Sequence, residues 1–442
     1  MVDANVVIIN ELKAFLEEIS MDSSKRQVYT FKGSDFSRER VLTFERIVGI
    51  LLNMPKRSLS IEVREFLDSI MVEETVTKSA FSQQRSKLNP LFFQTWNGVL
   101  VEQFYRCYGD NVKRWRGFLI EAVDGSTAYL MEKDEVVEYF GTQDNQHVSV
   151  PMARLMQIYD VLNDIIVWAD IYPIKQSEQS IMNTKINILP ERSITLFDRG
   201  YPSFALIYML IHQRNERFFV MRCRKDFNKE VEKFFKSEQK DIITEFPITE
   251  SGMKTLEEHG YTVSKETTIR VRLVKVELPC GQIEVLITNL LDEKEFSIED
   301  LSYLYSLRWP IETCYGKEKN QQQIEQFSGH RVICIEQDYH ANIFVANIQS
   351  LIEKQSEEYL QTISKHRKYK YKINRNVSWA ALKNNIFKLF LEEDPRKILL
   401  YLQSVFEANI EPVRPGRKFE RKKKTKRMNG KYQTLTNYKR AI

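Results

Sequence analysis

Two aspartates stand where short apolar runs end. GFLIEAVDGS closes on Asp124 and SITLFDRGY on Asp198, each followed at once by a residue that favours a turn or a charge. A carboxylate at the end of a buried strand is held rigidly, so two such strands side by side could present a pair of acids to one ligand. Each has a plainer reading as well: Asp before Gly makes a turn at Asp124-Gly125, and Asp198 can pair locally with Arg199. A third acid lies over a hundred residues downstream, in YSLRWPIETCYGKEK, residues 305–319. At about 100° per residue, Tyr305, Arg308, Glu312 and Lys319 fall within a sector of about 60° on one helix, an acid flanked by two bases. Pro310 removes a backbone donor and biases Trp309 away from the helical region, so the helix either kinks or starts there. In the second case Glu312 lies in a first turn. A pair with Arg308, four residues earlier, is the plain reading of Glu312. Taken together, three carboxylates from two strands and a helix are hard oxygen donors able to hold two magnesium ions about 4 Å apart, beside bases that could grip phosphates.

Periodicity indicates the elements that must position these acids. GFLIEAVDGS reads as a buried strand, PMARLMQIYDVL and NDIIVWADIYPI as an antiparallel pair turning near Asn163-Asp164, and SEQSIMNTKINIL as a helix. SITLF, a helix opened by Pro202, and the strand FFVMRCR complete a mixed α/β order with antiparallel and parallel parts in one sheet. TIRVRLVKVEL and QIEVLITNL alternate like two solvent-facing strands around Pro279-Cys280-Gly281-Gln282, which predicts a β-rich insertion rather than a continuation of the buried sheet. Ser297, with Glu299 and Asp300, marks the start of the helical region that carries Glu312. The first hundred or so residues repeat apolar positions at helical spacing. There LSIEVREFLDSIM and SAFSQQRSKL, joined by a small turn, form a candidate helix-turn-helix with Gln83, Gln84, Arg85 and Lys87 on its second member. The expected organisation is a helical N-terminal domain (1–110), a core in two parts (111–224 and 291–350) split by the β-rich insertion (225–290), a helical C-terminal region (351–412) and a basic tail (413–442).

Charge is unevenly placed. The chain of 442 residues has a formal net charge of +5, yet from Val413 onward twelve Lys and Arg face one acid, Glu420. The remainder is therefore net acidic. A basic run such as RPGRKFERKKKTKR is ordinarily a solvated segment, and the partner it would meet first is a polyphosphate, through counterion release. The five cysteines are scattered without a CxxC pair, which points to reduced thiols rather than a zinc site. MVDANVVIINELKAFLEE lacks the order of a signal peptide, and no apolar run approaches the roughly 20 residues that span a bilayer. A soluble cytoplasmic protein with no membrane contact is expected.

In AVDGST, LFDRGYPS and the Tyr305-x2-Arg308-x3-Glu312-x6-Lys319 spacing, followed by IEQFSG and QDYHANI, the chain resembles the DDE transposases of bacterial insertion sequences. The group it is most similar to is the insertion-sequence family numbered four, with its Tyr-Arg-Glu-Lys signature. The resemblance runs from about Gly117 to His340, and the basic PVRPGRKFERKKK is similar to a family C-terminus. It implies an RNase H-like mixed-sheet catalytic core with a β-rich insertion before the glutamate helix. It implies Asp124, Asp198 and Glu312 as catalytic and metal-binding residues, with two divalent ions, Mg2+ or Mn2+ in its place. Tyr305, Arg308 and Lys319 would contact transposon-end DNA, and Trp309 is a candidate to stack on a displaced base. The implied activity is metal-assisted phosphodiester hydrolysis that frees a 3′-hydroxyl, followed by its attack on target DNA. The partners would be double-stranded terminal inverted repeats and target DNA, met by a dimer in a synaptic complex at the nucleoid. Two other readings remain: another RNase H-like nuclease, such as a resolvase or repair enzyme, and a non-catalytic DNA-binding descendant of a transposase.

Overall fold

A computed structural model describes residues 1–414 except 39, 54–55, 145–148, 214–215 and 278–280. The basic tail beyond residue 414 and the turn at Pro279-Cys280 lie outside the described residues. Nine strands form one sheet: β1 (Leu119–Tyr129), β2 (Thr142–Asp144), β3 (Ser149–Asp160), β4 (Ile165–Pro173), β5 (Ser193–Phe197), β6 (Arg217–Cys223), β7 (Asp241–Pro247), β8 (Thr268–Glu277) and β9 (Ile283–Thr288). Their order is β2-β3-β1-β5-β6-β9-β8-β7, with β4 also on β3. The apolar runs of β1 and β5 pair in parallel, as do β5 and β6, while β3 and β4 make the antiparallel pair expected around Asn163-Asp164.

The strands of 225–290 do not form a separate β unit. β9 pairs antiparallel with β6, Val220 opposite Thr288, and β8 and β7 follow outward, so the buried sheet continues through them. Their alternation does not mark a solvent-facing side. In fact Ile269, Val271, Leu273, Val285 and Ile287 join the apolar core around the Phe204–Ile211 helix, and Val274, Val276 and Leu286 join a second core on the other face. Arg272, 1% exposed, accounts for one of the polar positions: its guanidinium is buried against Asp241 and the carbonyls of Leu290 and Phe296.

Helices from both ends of the chain share one core. The helices Val2–Met21, Phe44–Leu52 and Leu91–Tyr108 pack with Val332–Lys354 and Arg396–Ala408. Trp96 lies at its centre, stacked on Phe344 with ring centroids 4.1 Å apart. Truncating such a residue typically costs about 3–5 kcal/mol. The helix-turn-helix reading is not met. Leu59–Ser69 and Lys78–Arg85 are separated by residues 70–77, longer than the three or four residues of that motif. Arg85, moreover, is buried and donates to Gln337 Oε1 (2.6 Å), Cys334 O (2.9 Å), Asp338 Oδ1 (2.7 Å) and Ser328 Oγ. Among the described residues no helix is long and apolar enough to cross a membrane.

At Pro310 the chain starts a new helix rather than kinking an old one. Ile298–Ser306 opens with a capping box in which Ser297 and Asp300 bond each other's backbone N–H. Leu307 and Arg308 interrupt it, and Trp309–Asn320 follows with the proline in its first turn, where no donor is missed.

Candidate active site

In the parallel pair β1–β5, the last aligned residues are Val123 and Phe197. Asp124 and Asp198 are the next residues, so both stand directly beyond the carboxyl end of this parallel pairing, the end at which open α/β sheets bind ligands. Leu119 to Val123 and all of β5 are buried, which fixes both aspartates at the backbone. Asp124-Gly125 is not a turn, because β1 runs on to Tyr129 with Asp124 opposite Gln157 and Gly125 opposite Met156. Gly125 makes room for a neighbour: a Cβ there would stand 2.4 Å from the Glu178 carboxyl carbon and would displace that side chain. Asp124 is further held by its own neighbour, whose N–H donates to Oδ1 at 2.9 Å, and by Tyr315, whose hydroxyl donates to the Asp124 carbonyl at 2.8 Å.

The break between the two helices supplies the remaining groups. Tyr305, from the end of the first helix, donates its hydroxyl to Asp198 Oδ1 at 3.2 Å. Arg308, in the break, donates Nη2 to Glu312 Oε1 at 2.7 Å, and its Nη1 lies 3.8 Å from Asp124 Oδ2. The structure thus brings Asp124, Asp198, Tyr305, Arg308 and Glu312 together. The Arg308–Glu312 pair expected from spacing is present, and the pair also reaches the first aspartate. The Asp198–Arg199 pair is replaced by Tyr305 and by Arg222, whose Nη1 is 3.8 Å from Asp198 Oδ1. Trp309 is 57% exposed, its ring 5.2 Å from the Arg308 guanidinium carbon. Lys319 leaves the cluster. Two turns along the second helix, it donates to Ser126 Oγ (2.8 Å) and Thr127 O (2.6 Å) on the outgoing part of β1. Fourteen residues separate Tyr305 from Lys319, about 21 Å of helix rise, so sharing a face does not bring them to one site.

Three further charged residues were not singled out by sequence. Glu178 opens the Glu178–Lys185 helix beside Gly125 and pairs with Arg154 Nη1 at 2.6 Å. Arg222 bridges Asp198 to Glu284, whose Oε1 is 2.7 Å from Nη2. The only local signal was an arginine inside the apolar strand FFVMRCR and a glutamate in β9. Burial pushes the Asp124 carboxyl up to about 7, with Glu178 and Asp198 acting in the same direction and the Gly125 N–H and Arg308 against it. The Arg308 guanidinium is raised by its Tyr305 and carboxylate neighbours despite burial.

The donor set is all carboxylate oxygen, the chemistry of a hard divalent cation. Asp124, held up by desolvation, is a group whose charged form a cation would favour. As placed, no three acidic, histidine or cysteine side chains among the described residues are grouped closely enough to hold one ion. The guanidinium of Arg308 lies between Asp124 and Glu312 instead. Alongside runs a groove of about 1030 Å³, lined by Tyr303, Tyr305, Arg308, Trp309, Arg222 and Glu284 among others.

The chain is 26% identical over 164 residues to the protein named "Putative transposase InsZ" of Escherichia coli (strain K12), an overlap of 35% of this chain and 53% of that one. The chain therefore spans about half the length of this curated relative. A solved piggyBac transposase synaptic complex with hairpin DNA is similar with a TM-score of 0.42 at 10% identity, over 94% of this chain and 85% of that one. Residues 116–348 match the family described as the transposase DDE domain. Because that match takes in more than half of the chain, with both strand ends and the broken helix inside it, the chain belongs to the transposase DDE domain family.

Proposed function

We propose that this chain is a DNA transposase that binds the terminal inverted repeats of an insertion sequence, cuts DNA there, and joins the freed 3′-hydroxyl to target DNA. The observation that carries this reading is the position of Asp124 and Asp198, each the residue after the last parallel β1–β5 pair, with Glu312 tied to Asp124 through Arg308. The β4-β3-β1-β5-β6 order, with β3 antiparallel and β1, β5 and β6 parallel, supports an RNase H-like core. Asp124, Asp198 and Glu312 would hold two divalent ions, Mg2+ with Mn2+ able to substitute, which when bound activate the attacking oxygen and stabilise the leaving one.

The chain's own side chains would place the DNA. Tyr305 orients Asp198 through its hydroxyl. Arg308 and Trp309 open on the groove beside the carboxylates, where the guanidinium would take a backbone phosphate and the exposed indole an unpaired base. Lys319 would meet a phosphate along β1, and the helices of 1–110 would contact the transposon end. Two copies acting on two ends make a dimer on DNA the working arrangement, in the cytoplasm at the nucleoid.

The test is cleavage of a labelled duplex that carries the repeat flanking the gene, in Mg2+. Asp124→Asn, Asp198→Asn and Glu312→Gln should each lower cleavage by roughly a thousandfold or more, with duplex affinity and thermal midpoint little changed. A variant that still cuts removes its residue from the site. A wild type that binds the repeat but never cuts it favours the non-catalytic descendant, and a gene without flanking inverted repeats favours another nuclease.

A further inference from the structure

Arg308 occupies an unusual place for a residue read as a DNA contact. Its side chain is 3% exposed, hydrogen-bonded to Glu312 and close to Asp124, and Asp198 also acts on its charge. Nε is buried with no hydrogen-bond partner among the described residues. The aromatic rings of Tyr305 and Trp309 flank the guanidinium at 5.9 and 5.2 Å. A positive group held among carboxylates supplies the compensation that a divalent ion would otherwise provide, and it repels that ion. Yet the hold is incomplete. One nitrogen is unsatisfied, and Glu312, the one carboxylate within hydrogen-bond distance among the described residues, is 39% exposed. An arginine in this state gains by exchanging these partners for a bidentate contact to a phosphate.

We propose that Arg308 is an internal counter-cation that keeps divalent-ion binding weak in the DNA-free chain, and that a backbone phosphate entering the groove draws the guanidinium away and frees the carboxylates for ions. The groove lined by Arg308, Tyr303 and Trp309 opens beside the carboxylates, so the outward path of the side chain is already present. The consequence is thermodynamic coupling: DNA tightens ion binding, and by linkage ions tighten DNA binding by the same factor. An isolated chain would then carry few ions and do little cutting away from a bound end. The inference rests on the reading of Asp124, Asp198 and Glu312 as ion ligands.

The experiment is titration of Mn2+ into the full-length protein without DNA, with free Mn2+ followed by its electron paramagnetic resonance signal. Arg308→Gln should bind Mn2+ about fivefold or more tighter than wild type, whereas Arg308→Lys, which keeps the charge, should stay within about twofold. The direction is diagnostic, since a structural defect would weaken binding. Repeating the titration with a 20-base-pair duplex, the duplex blank subtracted, should tighten binding to wild type and leave Arg308→Gln nearly unchanged. Arg308→Gln binding no tighter than wild type, or gaining as much from the duplex, overturns the proposal. Asp124→Asn and Glu312→Gln separate the two layers. If both bind Mn2+ as wild type does, the ion-ligand reading falls and the coupling with it; if both lose Mn2+ while Arg308→Gln gains nothing, only the coupling is overturned.

Discussion

Strand β1 carries two acids three residues apart, on opposite faces, and the protein treats them differently. Asp124 is 18% exposed at its side chain and has the Arg308 guanidinium within 4 Å. Glu121 is wholly buried opposite Asp160, and neither of its carboxylate oxygens has a hydrogen-bond partner among the described residues. Asp160 is satisfied by neutral donors: the Tyr105 hydroxyl (2.9 Å), the Asn163 side chain (2.8 Å) and the Leu162 and Asn163 N–H groups. Burial raises both Glu121 and Asp160, and the charge of Asp160 raises Glu121 further. Acid content alone therefore says little about chemistry. Burial in the sheet favours the protonated form of the Glu121–Asp160 pair, whereas Asp124, also raised by burial, has the Arg308 guanidinium beside it to favour its charged form.

Substitutions on the two faces should part accordingly. The largest effect belongs to Asp160→Ala, which strands four donors in the interior and should cost on the order of 3 kcal/mol or more by urea denaturation. Asp124→Asn should cost less than 1 kcal/mol in the same measurement, and equal losses would erase the distinction between the faces. Next in size is Glu121→Gln. A carboxyl raised in the folded state destabilises the fold progressively as pH climbs above the unfolded value of about 4.3 toward the folded one. Removing it should make the chain about 1–3 kcal/mol more stable than wild type at pH 8 and no more stable at pH 4. A gain that is the same at both pH values would place the cause elsewhere than in the proton. Smallest is Lys319→Met, which deletes the tie to Ser126 and Thr127 at the outgoing end of β1 and should cost about 1 kcal/mol in thermal unfolding. A drop of several kcal/mol would mean that Lys319 anchors the strand rather than waiting on it.

Signals that act over a few residues carry through to the fold. The apolar runs ending at Asp124 and Asp198 are strands, and Glu312 does sit in a first turn behind Pro310, because strand burial and proline chemistry act over a few residues. What escaped depends on partners distant in sequence. Arg222 and Glu284 become site neighbours only because β9 crosses back to β6. Glu178 matters only because Gly125 leaves room for it. Lys319 kept its helical position but not its expected neighbours, since seven residues of helix, about 10 Å, separate it from Glu312 and bring it to Ser126 and Thr127 instead. The strands of 225–290 show the same limit, for alternation reports a half-polar face and cannot tell water from a buried Arg272–Asp241 pair.

The fastening of Arg85 to Gln337, Cys334 and Asp338 bears on how this chain can be re-engineered. A recognition module that is to be exchanged should join its host through a loose linker, and here the junction is a buried lock whose two halves lie about 250 residues apart. Transplanting the first hundred residues from a relative would leave a foreign side chain facing Gln337 and Asp338. Chimeras built at that seam should therefore carry both halves of the lock from the same parent.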